Sequence, residues 1–202
     1  MASFENIFPS TVMLDSLERQ FTEKEQAFFD ECLKKLVNNA GNKTSENNYV
    51  LNSEPLNDLK TVLTLKVNQY FQIIVNPKSE CELYITQSWI NYTNAGGYHH
   101  KHYHPNSYLS GIIYLDADKL QDKVYFKKPL QDFFSLEPKN YNLSNSDTWF
   151  FTTGTQDIVI FPSSLEHYVE TVSSDRARIS LSFNTFLKGN IGVNNQLTEL
   201  IL

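Results

Sequence analysis

The sequence predicts a mainly β protein of the α+β class, in which two helices precede an antiparallel sandwich or barrel. From Glu82 onward, polar and apolar residues roughly alternate, which is the pattern of strands with one buried face. These segments are short and are separated by Gly, Asn, Pro and Asp, as is usual in sandwiches and barrels. The 14 Phe and 11 Tyr residues also favour a sheet, because aromatic side chains are enriched in strands.

Two amphipathic helices are predicted ahead of the sheet. The first begins at a capping box formed by Thr22 and Glu25 and ends between residues 38 and 41, where Asn and Gly accumulate. We expect a polar loop over residues 42–54 and a second helix from Pro55, a residue suited to a first helical turn. The apolar stripe of the second helix comprises Leu59, Leu63, Val67, Tyr70 and Ile74. Because such stripes usually pack on a neighbouring element, both helices are expected to brace one face of the sheet.

Seven strands and three connecting or terminal segments are predicted. The strands cover residues 83–91, 108–115, 124–126, 148–152, 158–161, 168–172 and 178–186. Residues 4–14 are expected to form an extended lead-in, and residues 194–202 a short helix. Residues 127–147, which include Phe133 and Phe134, form a long insertion that serves either as a lid or as a packed surface excursion.

Length and composition favour one domain in a cytosol-like compartment. The net charge of -6 argues against broad nucleic-acid binding, which depends on neutralising phosphates. No apolar run approaches the roughly 20 residues that cross a membrane, and the N-terminus lacks the pattern of a secretory signal. The two cysteines are too few for a disulfide scaffold and are expected to be reduced. The expected parts of the single domain are residues 1–80 as lead-in and supporting helices, 82–187 as β core and 188–202 as C-terminal tail.

The histidines point to a metal site. Four of the five lie between residues 99 and 104, and the fifth is His167. Alternate residues of a strand share a face, so His102 and His104 are expected to point into one interior, although His100 has the same parity. With His167, they would occupy three positions around a metal and leave the others open, as in non-haem Fe(II) oxygenases. A closed zinc site would need a fourth ligand, and both cysteines are distant in the sequence.

The last predicted strand, residues 178–186, has a polar face and an apolar face. Its polar face comprises Arg178, Ser180, Ser182 and Asn184, and its apolar face comprises Ile179, Leu181 and Phe183. Arginine binds carboxylates through two parallel hydrogen bonds, and a hydroxyl two residues away can add a third. The pattern therefore indicates either a surface strand or a pocket for a carboxylate ligand.

Together these motifs resemble the 2-oxoglutarate- and Fe(II)-dependent dioxygenases, and most closely a family common in bacteria and phages that is distantly similar to prolyl hydroxylases. The residues that carry the resemblance are Trp89-Ile90-Asn91, the run from His102-Tyr103-His104-Pro105 to Tyr114, Phe161-Pro162-Ser163 with His167, and Arg178 to Asn184. The resemblance covers roughly residues 83–186 and implies a double-stranded β-helix, or jelly roll, with the N-terminal helices packed on the major sheet.

The resemblance also implies roles for individual residues. His102, His104 and His167 would bind Fe(II), and Arg178 would hold the distal carboxylate of 2-oxoglutarate (2OG). Ser180 and Tyr114 would bond the same carboxylate, and Asn91 or Tyr92 would line the pocket. Arg176 is the alternative to Arg178, because the spacing of prolyl hydroxylases points to it and both arginines have the same parity. The implied activity is oxidation, most often hydroxylation, with O2 as cosubstrate and ascorbate as a supporting reductant.

Two alternatives to a cytoplasmic, phage-type dioxygenase stay open at the level of sequence. His104 stands where the usual triad has a carboxylate, so the metal complex would be one unit more positive, and a cupin-like binding protein without catalysis is the main alternative. A zinc hydrolase would need a general base, and Glu166, beside His167, would point the opposite way on a strand. The substrate is not readable from the sequence; a protein side chain, an amino acid, a nucleobase and a small metabolite are candidates.

Overall fold

The structure is a computed structural model that describes residues 1–129, 134 and 136–202. A first strand, β1 (Met13–Ser16), precedes helix α1 (Glu23–Leu33) and lies in what the sequence predicted as lead-in. The predicted capping box is present: the Thr22 hydroxyl accepts from the Glu25 backbone N–H at 3.2 Å, and the Glu25 carboxylate accepts from the Thr22 N–H at 2.8 Å. Arg19 also pairs with this carboxylate, so the start of the helix is fixed from both sides.

The predicted end of the first helix was wrong. α1 stops at Leu33, and the chain then forms a hairpin of β2 (Leu36–Asn39) and β3 (Asn42–Ser45) in place of helix and polar loop. Gly41 has φ +83°, a conformation that glycine adopts without strain and that permits the tight turn. β3 is held by pairing with a strand almost fifty residues later, Lys43 opposite Tyr92, which local sequence patterns do not show.

The second helix follows the prediction up to its last turn. A 3₁₀ turn (Glu54–Leu56) leads into α2 (Asn57–Tyr70), which continues as one π-helical turn (Phe71–Val75). The residues of the predicted stripe that lie within α2 are all buried, namely Leu59, Leu63, Val67 and Tyr70. Ile74 is 47% exposed, because the wider π turn shifts its phase away from the core.

Nine further strands complete two antiparallel sheets. They are β4 (Cys81–Thr93), β5 (His99–His102), β6 (Leu109–Asp116), β7 (Lys123–Lys127), β8 (Thr148–Thr152), β9 (Asp157–Pro162), β10 (His167–Val169), β11 (Arg178–Ile191) and β12 (Leu200–Ile201). The major sheet has the order β1-β9-β6-β11-β4-β3-β2, with β12 paired to β11, and the minor sheet has the order β5-β10-β7-β8. This arrangement confirms the predicted jelly roll.

Two apolar cores lie on opposite sides of the major sheet. The larger joins both helices to the outer face of the sheet, where residues such as Leu63, Ile90 and Phe183 are fully buried. The prediction that the helices brace the sheet is therefore confirmed. The smaller core lies between the two sheets and includes Val159 and Phe161. Close packing marks the larger core, because a Cβ at Gly111 would collide with the ring of Phe183.

Two smaller expectations need correction or fall outside the description. The C-terminal helix was wrong, because residues 194–202 contain a 3₁₀ turn (Asn194–Gln196) and the strand β12. Of the aromatic residues predicted in the insertion, Phe134 is exposed, whereas Phe133 lies outside the described residues. Of the helices in the described part of the chain, none has the length and apolar character needed to cross a bilayer.

Candidate metal centre

Three histidine side chains converge at one end of the space between the sheets. His102 is the last residue of β5 and lies opposite His167, the first residue of β10. His104 follows two residues beyond the strand, where its backbone N–H donates to the Ser163 carbonyl at 2.9 Å. The expectation that His102 and His104 share one strand was therefore wrong, but their convergence was right. The candidate ligand atoms of His102, His104 and His167 all lie within 4.8 Å of one another, so they can hold a metal ion.

Backbone carbonyls fix the tautomer of two of these imidazoles. The Nδ1 of His102 lies 2.8 Å from the His100 carbonyl oxygen, and the Nδ1 of His167 lies 3.0 Å from the Leu165 carbonyl oxygen. Because a carbonyl only accepts, each Nδ1 carries the proton and each Nε2 keeps its lone pair. Metal-binding histidines commonly donate their other ring N–H in this way, which orients the ring for the ion.

Side chains of the major sheet do the same for His104. Its Nδ1 lies 2.6 Å from Asn184 Oδ1 on β11 and 2.7 Å from Ser110 Oγ on β6. The Ser110 hydroxyl also donates to Asn184 Oδ1, so the amide oxygen accepts from both and Nδ1 of His104 is a donor. The sequence placed Asn184 on the polar face of its strand, but it gave no sign that this residue orients His104.

Burial keeps the three imidazoles neutral. It lowers the pKa of His104 to about 4 from an ordinary value of 6.5, with a smaller contribution from the nearby His102. Burial also lowers the pKa of His102 and holds the pKa of His167 well below its ordinary value, where His102 again contributes. Desolvation penalises the charged form, so the site presents three neutral nitrogen ligands at neutral pH. That is the protonation state that metal binding requires.

A buried arginine lies at the other end of the same cavity. Arg178 is 3% exposed, and its Nη2 donates to the Tyr114 hydroxyl at 3.2 Å, while its guanidinium lies 4.9 Å from the centre of the Tyr114 ring. No carboxylate among the described residues pairs with Arg178, and its Nε has no hydrogen-bond partner there. A buried guanidinium with an unpaired donor is costly unless an anion binds to it.

The two candidate arginines differ clearly in position. Arg176 is exposed at the surface and forms an ion pair with Asp116. It precedes β11, which begins at Arg178, so the two residues do not share a strand face as the parity suggested. Only Arg178 lines the cavity.

Polar residues of the neighbouring strands complete this wall. Ser180 lies opposite both Asn91 on β4 and Tyr114 on β6, and Asn91 donates to the Ser182 hydroxyl at 2.9 Å. The Oδ1 of Asn91 is buried without a partner. Tyr92 is not among the residues that line the cavity, which places Asn91 there and Tyr92 elsewhere.

The three histidines and Arg178 line one small cavity. Apolar side chains, among them Trp89, Ile112 and Val124, form much of the remaining wall. A chamber of this kind limits access of water and strengthens electrostatic interactions inside it. Among the described residues, the group that can hold a metal contains three histidines and no carboxylate, as the sequence indicated.

His99 is a cavity residue that the sequence did not single out. The pairing of β5 with β10 is irregular: His102 faces His167 and His99 faces Val169, so three steps along β5 match two along β10. This bulge places His99 in the cavity and leaves His100 outside, contrary to the parity of the histidine run. Burial, together with His102, lowers the pKa of His99 to about 3. A bulge leaves no clear signal in a single sequence, so simple alternation misassigned this position.

The sequence profile of the family described as "Putative 2OG-Fe(II) oxygenase" matches residues 87–184, just under half of the chain. The matched segment contains all three histidines, Arg178 and the strands that carry them. This part of the chain belongs to the 2OG-Fe(II) oxygenase family. The enzymes of this family use Fe(II) with 2OG and O2 as cosubstrates.

Solved structures share the fold of this chain. A 2OG-Fe(II) oxygenase-family oxidoreductase from Burkholderia pseudomallei is 14% identical with a TM-score of 0.56, covering 86% of this chain and 83% of that one. HygX from Streptomyces hygroscopicus, solved with nickel, 2-oxoglutarate and hygromycin B bound, is 11% identical with a TM-score of 0.57 and coverages of 87% and 82%. A prolyl-4-hydroxylase from Pseudomonas putida is 12% identical with a TM-score of 0.53 and coverages of 87% and 92%. No curated protein sequence matches the chain.

Proposed function

We propose that His102, His104 and His167 bind Fe(II) through their Nε2 atoms and that the protein is a 2OG-dependent dioxygenase acting as a hydroxylase. The observation that carries this proposal is the presence, in one cavity, of three oriented neutral imidazoles and one buried arginine without an anionic partner. The imidazoles supply the metal ligands, and the arginine supplies the binding group for a dicarboxylate that reaches the metal.

The residues of the cavity fit both Fe(II) and 2OG. Each histidine donates its Nδ1–H to a fixed acceptor and leaves Nε2 for the ion, which is the usual support of a metal ligand. At the other end, the unpartnered Nε of Arg178 lies in the interior. We assign the distal carboxylate of 2OG to Arg178, with the hydroxyls of Tyr114 and Ser180 as further partners and Asn91 as a lining residue.

The chain orients the reactants and excludes water. When bound, Fe(II) supplies the chemistry of O2, and oxidative decarboxylation of 2OG to succinate and CO2 supplies two electrons. Arg178 would hold the distal carboxylate of 2OG, and the three histidines would hold the metal that its keto acid reaches, so the chain would orient the cosubstrate before reaction. Replacement of the usual carboxylate by His104 leaves the metal one unit more positive, so the site should favour an anionic cosubstrate.

The candidate classes of primary substrate are a protein side chain, a free amino acid, a nucleobase and a small metabolite. We further propose that residues 1–202 act as one oxygenase domain, since both helices share a core with the major sheet. We also propose a cytoplasmic location, which the two unpaired cysteines, Cys32 and Cys81, support.

Iron-dependent conversion of 2OG to succinate tests the proposed function. His167→Ala removes the most buried imidazole of the three, and we expect it to abolish succinate formation, because two histidines and water hold Fe(II) poorly. Circular dichroism of the variant should match the wild-type spectrum, which separates loss of metal from loss of fold. Turnover retained by folded His167→Ala protein would remove His167 from the ligand set.

A binding protein without catalysis is the second candidate, and the absence of a carboxylate from the three-histidine group is the observation in its favour. Such a protein would bind 2OG stoichiometrically and leave it intact under O2 with every class of candidate substrate. Release of CO2 from 2OG labelled at C1 distinguishes the two functions, because only the oxygenase produces it.

A further inference from the structure

The bulge in β5 brings a fourth imidazole to the metal end of the cavity. The ring of His99 stacks on that of His102, with centroids 4.5 Å apart and planes inclined by 23°. His100 is exposed, although it has the parity that regular alternation would turn inward. Bulges commonly redirect side chains next to active sites, and here the redirected side chain is His99.

His99 does not have the geometry of a fourth ligand. The metal-capable group comprises His102, His104 and His167 without it. Because the rings of His99 and His102 lie nearly face to face, the N–H bonds of His99 point along its own ring plane and past His102. An imidazole in this position can therefore bind something that lies beside the metal.

The ring nitrogens of His99 have no hydrogen-bond partner among the described residues, whereas all three candidate ligands have one at Nδ1. His99 and Arg178 line the same cavity. Arg178, whose guanidinium contacts the ring and the hydroxyl of Tyr114, lies at its distal end, and the stacking on His102 places His99 beside the candidate metal ligands. A keto acid that spans the two ends has its second carboxylate at the metal, where it needs a hydrogen-bond donor.

We propose that His99 is a further cosubstrate-binding residue, whose ring N–H donates a hydrogen bond to the metal-proximal carboxylate of 2OG. The proposal rests on the proposed function, since it takes 2OG as the ligand of the cavity. It assigns the two carboxylates to opposite donors, the distal one to Arg178 and the proximal one to His99. No carboxylate side chain belongs to the metal-capable group, so this end of the cosubstrate meets positive charge and an N–H donor.

Isothermal titration calorimetry with Ni(II), which does not turn over, tests the assignment without any activity. Two affinities are measured for each protein, Ni(II) alone and then 2OG to the Ni(II)-loaded form. For His99→Ala we expect Ni(II) affinity within about threefold of wild type and 2OG affinity reduced roughly 10- to 100-fold, the effect of losing a hydrogen bond to a charged group. Lys101→Ala, an exposed change on the same strand, should alter neither affinity.

Two further variants separate hydrogen bonding from stacking. His99→Gln keeps an N–H donor, and we expect it to recover most of the 2OG affinity. His99→Phe keeps a flat ring over His102 without a donor, and we expect it to remain as weak as His99→Ala. Wild-type affinity for 2OG in His99→Phe would overturn the proposal in favour of a packing role.

Three other outcomes overturn it in distinguishable ways. A loss of Ni(II) affinity in His99→Ala as large as in His102→Ala would make His99 a metal ligand. Wild-type protein that binds Ni(II) but no 2OG would overturn the proposed function, and the role of His99 with it. If wild type binds 2OG and His99→Ala binds it equally well, only the role of His99 is lost.

Discussion

The two faces of β11 are both buried, but they differ in what holds them. Toward the helices, Leu181 and Phe183 are 0% exposed and pack in the larger apolar core. Toward the minor sheet, Arg178 and Ser180 are 3% and 2% exposed, yet they are polar and line the cavity. The apolar face has its partners within the fold, whereas Arg178 on the polar face lacks a partner for Nε. One strand therefore stabilises the protein on one side and lines the candidate ligand cavity on the other.

Unsatisfied polar atoms are rare in folded proteins because each one costs free energy. The buried polar atoms without partners among the described residues include Arg178 Nε and Asn91 Oδ1, both on the cavity side of adjacent strands. Such a cost is accepted mainly at functional sites, where a ligand supplies the missing partner. The difference between the two faces can therefore be tested by substituting one side chain at a time on each face.

The largest effect on stability is expected on the helix side. Phe183→Ala empties a fully buried site packed against Gly111 and should lower the free energy of unfolding by about 3–5 kcal/mol, since lost burial and the cavity left behind add together. Urea denaturation followed by circular dichroism measures this change. In the protein that remains folded, Ni(II) affinity should stay near that of wild type. A strong loss of metal binding would show that the two faces are not separable.

On the cavity side, Arg178→Met should affect ligand binding far more than folding. We expect 2OG affinity to fall at least roughly 100-fold, since a bidentate, charge-assisted contact is lost. The free energy of unfolding without ligand should change by about 1 kcal/mol or less, because the variant loses a buried charge that has no carboxylate partner. Calorimetry and urea denaturation check the two parts. A large destabilisation with unchanged 2OG affinity would make Arg178 a structural residue.

The stability of the metal-free protein should depend on pH through the buried imidazoles. Burial lowers the pKa of His104 in the folded protein from 6.5 to about 4. Between these two pH values the unfolded chain therefore binds a proton at His104 that the folded chain does not. The free energy of unfolding should therefore fall as the pH decreases from 6.5 to about 4, with a slope of up to about 1.4 kcal/mol per pH unit for each such histidine. His104→Gln should flatten this dependence, and an unchanged slope would contradict the assignment of neutral His104.

The smallest effect is expected at the surface. Arg176→Ala breaks an exposed ion pair with Asp116 and should cost about 0–1 kcal/mol. Its affinity for 2OG should stay within about twofold of wild type, which makes it the matched control for Arg178→Met. A loss of 2OG affinity in Arg176→Ala like that in Arg178→Met would revive Arg176 as the carboxylate clamp.

The sequence predicted those parts of the fold that rest on local periodicity. The capping box of α1, the apolar stripe within α2 and the polar and apolar faces of β11 all follow from spacing along a regular element. The resemblance of the motifs to a known family predicted that the three histidines form one metal site. Each of these signals lies in the chain itself and does not depend on a distant partner.

The failures have two physical causes, namely departures from regular geometry and pairing with a distant segment. The hairpin of β2 and β3 depends on pairing with β4, the π turn exposes Ile74, and the bulge in β5 turns His99 inward. Parity also failed to separate Arg176 from Arg178, because β11 begins only at Arg178. The alternation of side-chain direction holds within a strand, but it does not predict the residue at which the strand begins.

The most direct test of the central claim is an anaerobic titration of the metal-free protein with Fe(II) and 2OG, followed by visible absorption. Chelation of Fe(II) by the keto acid at an open site should produce a weak metal-to-ligand charge-transfer band, and the open positions of a three-histidine centre allow it. We predict that this band appears in wild type and Arg176→Ala, and that it is lost in His167→Ala and greatly weakened in Arg178→Met. Iron bound by the wild-type protein without any such band would contradict the oxygenase and favour the binding protein.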